Sequence, residues 1–339
     1  MFKKDWTPED LMGLTGQTWA ACALFAAVQL ELFTALDRAG DEGLEEAELA
    51  RKLDCQERSL GMLLTAMTAL GLLERQGDRF KANAFARRYL AADSEDYFGF
   101  LLKHSAHILP GWTRLAEAVR SGGRVVELSS VETVDEQRQE AFLMGMFNVA
   151  RRQADQVAAA LDLSGRKTLL DLGGGPGTYA VYFCRHNPGL KATVFDQPGT
   201  EKFARAVFAR YGLEDRVDFI GGDFLTSPLP GGFDAVWLSQ VLHGEAPVPA
   251  ARLVQRGAEA LAEGGLLAVQ EFIIDDDRRG PAQPALFSLN MLVQTPGGQA
   301  YTQAEISDMM SRAGLTDIQR LPVPLPPGCG IVTGRKGSA

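Results

Sequence analysis

The sequence predicts an α/β protein in which a mostly parallel sheet, covered on both faces, follows a helical N-terminal half. Three observations carry this. From about residue 165, short strand-like runs alternate with helical ones, the pattern of parallel strands joined by helical crossovers. The run "LLDL" at 169–172 leads into the glycine-dense turn "GGGPG" and then a helical run, which reads as buried strand, tight turn and helix. Residues 1–105 carry only helical periods and one hairpin-sized segment. A chain of 339 residues therefore divides into two domains, 1–105 and 106–339.

In the first half, "WAACALFAAVQLELFTAL" at 19–36 is apolar around most of its surface and is expected to be buried, against a partner if not within the chain. Its longest apolar stretch, Trp19 to Val28, falls short of the ~20 residues a membrane span needs. "GLEEAELARKL" and "RSLGMLLTAMTALGLL" read as two helices ahead of a short two-stranded wing. That order suggests a winged helix, and winged helices suggest DNA. The second helix carries one arginine, whereas a recognition helix presents polar and basic side chains to a groove. Packing or dimerisation is the expected role.

The totals agree. Apolar content of 46% and charged content of 23% describe an ordinary globular protein. A net charge of −9 argues against nucleic acid and anionic membrane as partners. Cys22, Cys55, Cys184 and Cys329 show no C-x-x-C spacing, and Cys22 and Cys184 lie in apolar helical runs. Buried free thiols in a reducing cytoplasm are expected. The first residues lack the apolar core of a signal peptide.

The connecting runs "HSAHILPGWTRLAEAVRSG" and "EAFLMGMFNVARRQADQVAAALDL" are helical and rich in Met, aromatic and His residues. His104 and His107 lie one helical turn apart, but no third ligand of suitable type is near, so no metal is expected. "DDD" at 275–277 reads as a solvated turn.

Strand runs then follow at "KTLLDL", "KATVFD", "VDFIGGD", "FDAVWLSQVL" and "GGLLAVQEFII". The tail from Thr316 to Arg335 supplies an antiparallel pair at the sheet edge. In such sheets the ligand lies beyond the carboxyl ends of the strands. Those ends carry Asp171 and the turn, Asp196, Asp223, Ser239 with His243, and Glu271.

The glycine turn spaces Gly173, Gly175 and Gly177 as G-x-G-x-G, with Thr178 where a dinucleotide fingerprint wants glycine or alanine. No basic residue and no G-K-[ST] accompanies it, which disfavours a pyrophosphate. Asp196, 23 residues beyond Gly173, is placed to accept both hydroxyls of a ribose. Asp223 can hold an exocyclic amine while Phe224 packs on a purine face. The set describes an adenosine site without a phosphate clamp.

With these residues assembled, "LLDLGGGPGTYA", "VFDQP", "GGDFL", "VLHGEAP", "VQEFI" and "LNMLVQTPGGQAYTQAEISDMMSRAGL" resemble the S-adenosylmethionine-dependent small-molecule O-methyltransferases. The subgroup is that of plant caffeic-acid-type, acetylserotonin and bacterial antibiotic-tailoring enzymes, and the likeness covers essentially the whole chain. It implies a Rossmann-like class I methyltransferase domain behind a winged-helix domain that forms a homodimer. It also implies S-adenosylmethionine as cofactor and a small, aromatic acceptor. By position, Gly173 and Gly175 fall on the cofactor turn, Asp196 on the ribose acid, Asp223 and Phe224 on adenine contacts, and Ser239 on a further cofactor contact. His243 falls on the general base and Glu271 on the acid that orients it. The acceptor pocket would draw on His107, Trp112, Met146, Asn290 and Met291.

The chain departs from the pattern at two places. Gly244 and Glu245 stand where Asp-Trp is common, and Ala300 stands where plant members place a second acid, so His243 keeps at most one of two acidic supports unless Glu245 substitutes. The second departure leaves open a relative that binds S-adenosylmethionine but catalyses decarboxylation, hydroxylation or cyclisation.

Overall fold

The computed structural model describes residues 5–125 and 136–337. It divides into two compact units, Met1–Leu109 with Val134–Asn148, and Pro110–Thr133 with Val149–Ala339.

The first unit begins with helix α1 (Pro8–Gln29), opened by a Thr7–Asp10 capping box and a proline in its first turn. Helix α2 (Leu32–Arg38) is buried through Leu32, Phe33 and Leu36. A two-residue strand β1 (Leu44–Glu45) precedes helices α3 (Glu46–Lys52) and α4 (Glu57–Ala69). Strands β2 (Leu73–Gln76) and β3 (Arg79–Ala82) form the expected hairpin, with β1 added alongside β3. Helix α5 (Ala84–Leu90) starts at Asn83, whose side chain accepts from the Ala86 amide. Leu49, Leu64, Met67 and Phe80 join α2 in one core.

Two expectations for this half are corrected, a buried Cys22 and an apolar stretch too short to span a membrane. Within a single chain α1 is not buried: only Ala27 and Val28 are, while Trp19 is 77% and Met12 73% exposed. Cys22 is accordingly exposed, whereas Cys184 is buried as expected. The helix also runs well past the Trp19–Val28 stretch, and its 22 residues are by length and composition enough to cross a membrane. The apolar surface was read correctly. Among the described residues nothing buries Leu11, Met12, Leu14 or Trp19.

Helix α6 (Gly99–Trp112) carries Pro110 in its last turn, and α7 (Leu115–Ser121) ends at Gly122 in the left-handed region. Helix α8 (Glu136–Ala160) precedes the first strand of the sheet in sequence. The sheet then builds as β4 (Thr168–Leu172), helix α9 (Thr178–His186), β5 (Lys191–Asp196), helix α10 (Glu201–Arg210), β6 (Val217–Gly221), β7 (Phe233–Ser239), helix α11 (Pro247–Ala260) and β8 (Leu261–Ile274). Helix α12 (Ala282–Gln294), the short strand β9 (Tyr301–Thr302), helix α13 (Gln303–Arg312), and strands β10 (Leu315–Arg320) and β11 (Cys329–Lys336) complete it.

The strand order is β10-β11-β8-β7-β4-β5-β6, with β9 beside β8. Pairings from β6 through β8 are parallel, and β11 and β10 are antiparallel at the edge, as read from the sequence. The chain winds outward from β4 in both directions, so the order reverses between β4 and β7. That is where an open α/β sheet leaves a crevice for a ligand. Trp237 of β7 is fully buried, with the rings of Tyr179 and Phe183 each 5.1 Å away.

Candidate functional site

The turn after β4 is shaped by three glycines with positive φ: 73° at Gly173, 55° at Gly175 and 73° at Gly177. Side chains rarely take this conformation. At Gly177 space is denied as well, since a Cβ there would stand 2.6 Å from Phe208 Cε1 and 3.0 Å from Val194 Cγ2. Gly177→Ala is therefore expected to cost roughly 1–3 kcal/mol of stability, read as a lowered midpoint in denaturant unfolding. Gly175 differs: nothing lies within 4 Å of where its Cβ would stand. Its open face is the one a ligand can approach.

The N–H groups of such a turn are the usual cradle for a phosphate. Here the protein fills that role with its own carboxylates. The Gly175 N–H donates to Asp196 Oδ2 at 2.7 Å, and the Ala180 N–H in the first turn of α9 donates to Asp171 Oδ2 at 3.3 Å. Asp196 also accepts from the Gln197 N–H at 2.7 Å and from the Thr200 hydroxyl at 3.3 Å. Burial raises the pKa of Asp196 against these donors. Asp171 is 1% exposed, and burial pushes it up to about 7, with the neighbouring Asp196 adding to the shift. A pyrophosphate would meet two carboxylates and spent donors. A cation would meet compensating charge.

The remaining candidates fall into separate groups. Asp223 closes its own turn: its carboxylate accepts from the Leu225 N–H and the Thr226 hydroxyl, both at 2.8 Å. The Leu225 N–H is the main reason its pKa is lowered. Phe224 is partly buried against the sheet core. Ser239, at the end of β7, donates to Gln270 Oε1 of β8 at 3.3 Å, its partner in register. The chain then turns sharply through Gln240, held at φ 57° with its N–H on the Gln270 carbonyl.

That turn delivers His243. The His243 Nδ1 lies 2.7 Å from Glu271 Oε2, and the His243 backbone N–H donates to Glu271 Oε1 at 3.3 Å. The imidazole is 13% and the Glu271 side chain 1% exposed. A carboxylate on Nδ1 selects the tautomer in which Nε2 is the free acceptor. Glu245, the alternative acid beside His243, does not take part: among the described residues no hydrogen bond joins it to the imidazole. Burial raises its pKa, and Asp223 adds to the effect. Ala300 is buried, and its N–H donates to the Ser288 hydroxyl.

Of the expected acceptor residues, Trp112 and Asn290 are joined by a 2.9 Å hydrogen bond from the indole N–H to Asn290 Oδ1, and Met291 beside them is buried. His107 on α6 and Met146 on α8 belong to the first unit. His104 packs on Phe142, with ring centroids 5.2 Å apart. Among the described residues no group of three His, Cys, Asp or Glu side chains could hold a metal, and Asp275–Asp277 are exposed.

The residues the sequence did not single out are Gln270, Gln240 and Phe287. A lone amide inside the apolar run "LLAVQEFII" was a usable signal for Gln270. The positive φ of Gln240 left none.

Comparison with known proteins finds two family models along the chain. A model of the O-methyltransferase domain matches residues 112–316, and one of the O-methyltransferase dimerisation domain matches 12–92. The 3-hydroxy-5-methyl-1-naphthoate 3-O-methyltransferase of Streptomyces sahachiroi is 37% identical over 97% of this chain and 95% of its own. The tetracenomycin polyketide synthesis 8-O-methyl transferase TcmO of Streptomyces glaucescens is 36% identical over 97% of each. The crystal structure of human N-acetylserotonin methyltransferase in complex with SAM superposes with a TM-score of 0.87 at 30% identity, covering 100% of both chains.

Proposed function

The chain belongs to the O-methyltransferase family, and on that premise we propose that it moves a methyl group from S-adenosylmethionine to a hydroxyl of a small aromatic acceptor, with His243 as general base. The observation that carries this is the pairing of two features at neighbouring strand ends. One is a glycine turn in which the Gly175 N–H is taken by Asp196, with the buried Asp171 holding the Ala180 N–H just beyond it. The other is a histidine held by a single buried glutamate.

S-adenosylmethionine fits this donor set and, when bound, supplies an electrophilic methyl group on a sulfonium. Asp196 would hold the ribose hydroxyls with the lone pairs its backbone partners leave. Gly173 and Gly175 would let the ligand lie against bare backbone. Asp223 and Phe224 would serve the adenine, and Ser239 a further part of the cofactor. Asp171 and Asp196 together favour a positive charge nearby.

At the acceptor, a phenol of pKa ~10 is ionised to only about one part in a thousand at pH 7. His243 Nε2 takes that proton as the oxygen attacks. Glu271, on Nδ1, stabilises the imidazolium that results and keeps the ring in the productive tautomer. Trp112, Asn290 and Met291 would line the acceptor. Incubation with methyl-labelled S-adenosylmethionine and a panel of hydroxynaphthoates, hydroxyindoles and catechols tests the reading. Label on an acceptor oxygen is expected. Label that leaves the cofactor for no hydroxyl in the panel counts against it.

The exposed apolar face of α1 belongs to this reading too. We infer that a second copy covers it, since the dimerisation-domain match spans the helix from residue 12 and Leu11, Met12, Leu14 and Trp19 are all exposed. An obligate interface above ~2,000 Å² is expected. Light scattering on dilute protein should return the dimer mass, and a folded monomer would contradict it.

A further inference from the structure

The imidazole of His243 is gripped at two places, and only one of them is polar. Nδ1 is held by Glu271 at 2.7 Å. The ring meets Phe287 of α12, with centroids 4.7 Å apart and planes at 84°. Phe287 is itself backed by Phe272, at 4.4 Å and 40°. Phe272 directly follows Glu271 in β8, so one strand supplies both the carboxylate and the ring that steadies the second contact.

Helix α12 is tied in place around this contact. Ser288, next to Phe287, accepts the Ala300 N–H at 3.1 Å, and Thr295 Oγ1 accepts the Gly298 N–H at 2.8 Å. Gly298 in turn lies so close to the His243 carbonyl that a Cβ there would collide with it. The segment after α12 therefore closes on the turn that carries His243.

One hydrogen bond fixes where Nδ1 is but leaves the ring free to tilt, because the χ2 torsion of histidine has broad wells. Among the described residues, Glu271 supplies the carboxylate bonded to this ring, and no other carboxylate is hydrogen-bonded to it. We propose that Phe287 is a positioning residue for His243: its edge-on contact supplies the second constraint and aims Nε2 at the acceptor hydroxyl. This rests on the reading of His243 as the base. The contact itself is open to measurement without turnover.

Loss of the ring should let Nε2 drift from the acceptor, and a displacement of about 1 Å can cost ~100-fold in rate. Phe287→Ala and the bulkier Phe287→Leu are expected to lower kcat roughly ten- to a hundred-fold. Affinity for S-adenosylmethionine should stay within about twofold, and Phe287→Tyr, which keeps the ring, should restore most of the rate. In enzyme labelled with nitrogen-15 histidine, the tautomer set by Glu271 should persist in every variant, while the His243 ring signals should be sharp in the wild type and Phe287→Tyr and exchange-broadened by ring tilting in the Ala and Leu variants. Unchanged His243 resonances in Phe287→Leu, or kcat and cofactor affinity falling together in both variants, would overturn the proposal. Failure of the base reading looks different: His243→Ala would keep turnover while the Phe287 variants still shifted the imidazole signals.

Discussion

Replacing His243 with alanine is expected to lower kcat by roughly 10²–10⁴ while leaving affinity for S-adenosylmethionine within about twofold. The reasoning starts from geometry. The imidazole lies at the end of β7, beyond the Ser239–Gln240 turn, and Glu271 at 2.7 Å commits Nδ1 to donation. Only Nε2 is left to take a proton. Without it a neutral phenol must attack unaided, or wait for the rare ionised form. Raising the pH should then partly rescue the variant, because an acceptor that is already ionised needs no base. Glu271→Gln should cost less than loss of the histidine, since the ring remains and only its orientation and charge partner change.

Asp196→Ala is expected to weaken S-adenosylmethionine and S-adenosylhomocysteine binding about ten- to a hundred-fold, measured by calorimetry. This corresponds to the ~1.5–3 kcal/mol of a charge-assisted hydrogen bond. The structure adds a reason the effect is large: Asp196 also holds the Gly175 N–H, so its removal frees the turn as well as the ribose contact. Asp196→Asn, which keeps one acceptor oxygen, should fall between wild type and alanine. The sign of the pH dependence follows from two carboxylates, the buried Asp171 and the half-buried Asp196. Each helps bind a cation only when ionised, so that contribution is present above its folded pKa and lost as pH falls through it. Affinity should begin to decline near pH 7, where burial has placed Asp171, and fall further as Asp196 protonates. Because burial raises Asp196, its loss should set in above the range of an ordinary carboxylate, near 4. Unchanged affinity in Asp196→Ala would remove the ribose assignment.

Much of this site was legible because it depends on strand ends. Apolar runs broken by Gly, Asp or Glu mark where β4, β5, β7 and β8 stop, and parallel strands that stop together place their terminal polar residues side by side. The His243–Glu271 pair and the Gly175–Asp196 contact follow from that alone. Other features depend on tertiary contact and left no local trace. The exposure of α1 could not be read, because periodicity reports an apolar face and not what lies against it. Glu245 offered itself as a second acid for His243 by proximity in sequence, yet the extended backbone after the turn (φ −110°, ψ 150°) carries it elsewhere. Phe287 lies 44 positions from the histidine it touches, on a helix whose pattern says only that one side is apolar. The carboxylate occupying the Gly175 amide was half visible. Sequence showed that nothing basic was present, and only the structure showed that this donor was already in use.

The claim that His243 removes the acceptor's proton is tested most directly by varying how much help the acceptor needs. A series of phenols of the same shape but increasing acidity, assayed with wild type and His243→Ala at pH 7, gives kcat against acceptor pKa for both enzymes. If the histidine is the base, wild-type rates should depend weakly on acceptor acidity. Rates of the variant should climb steeply toward the wild type as the phenols become more acidic. Parallel lines for the two enzymes, or a variant as fast as wild type on the least acidic phenol, would contradict it.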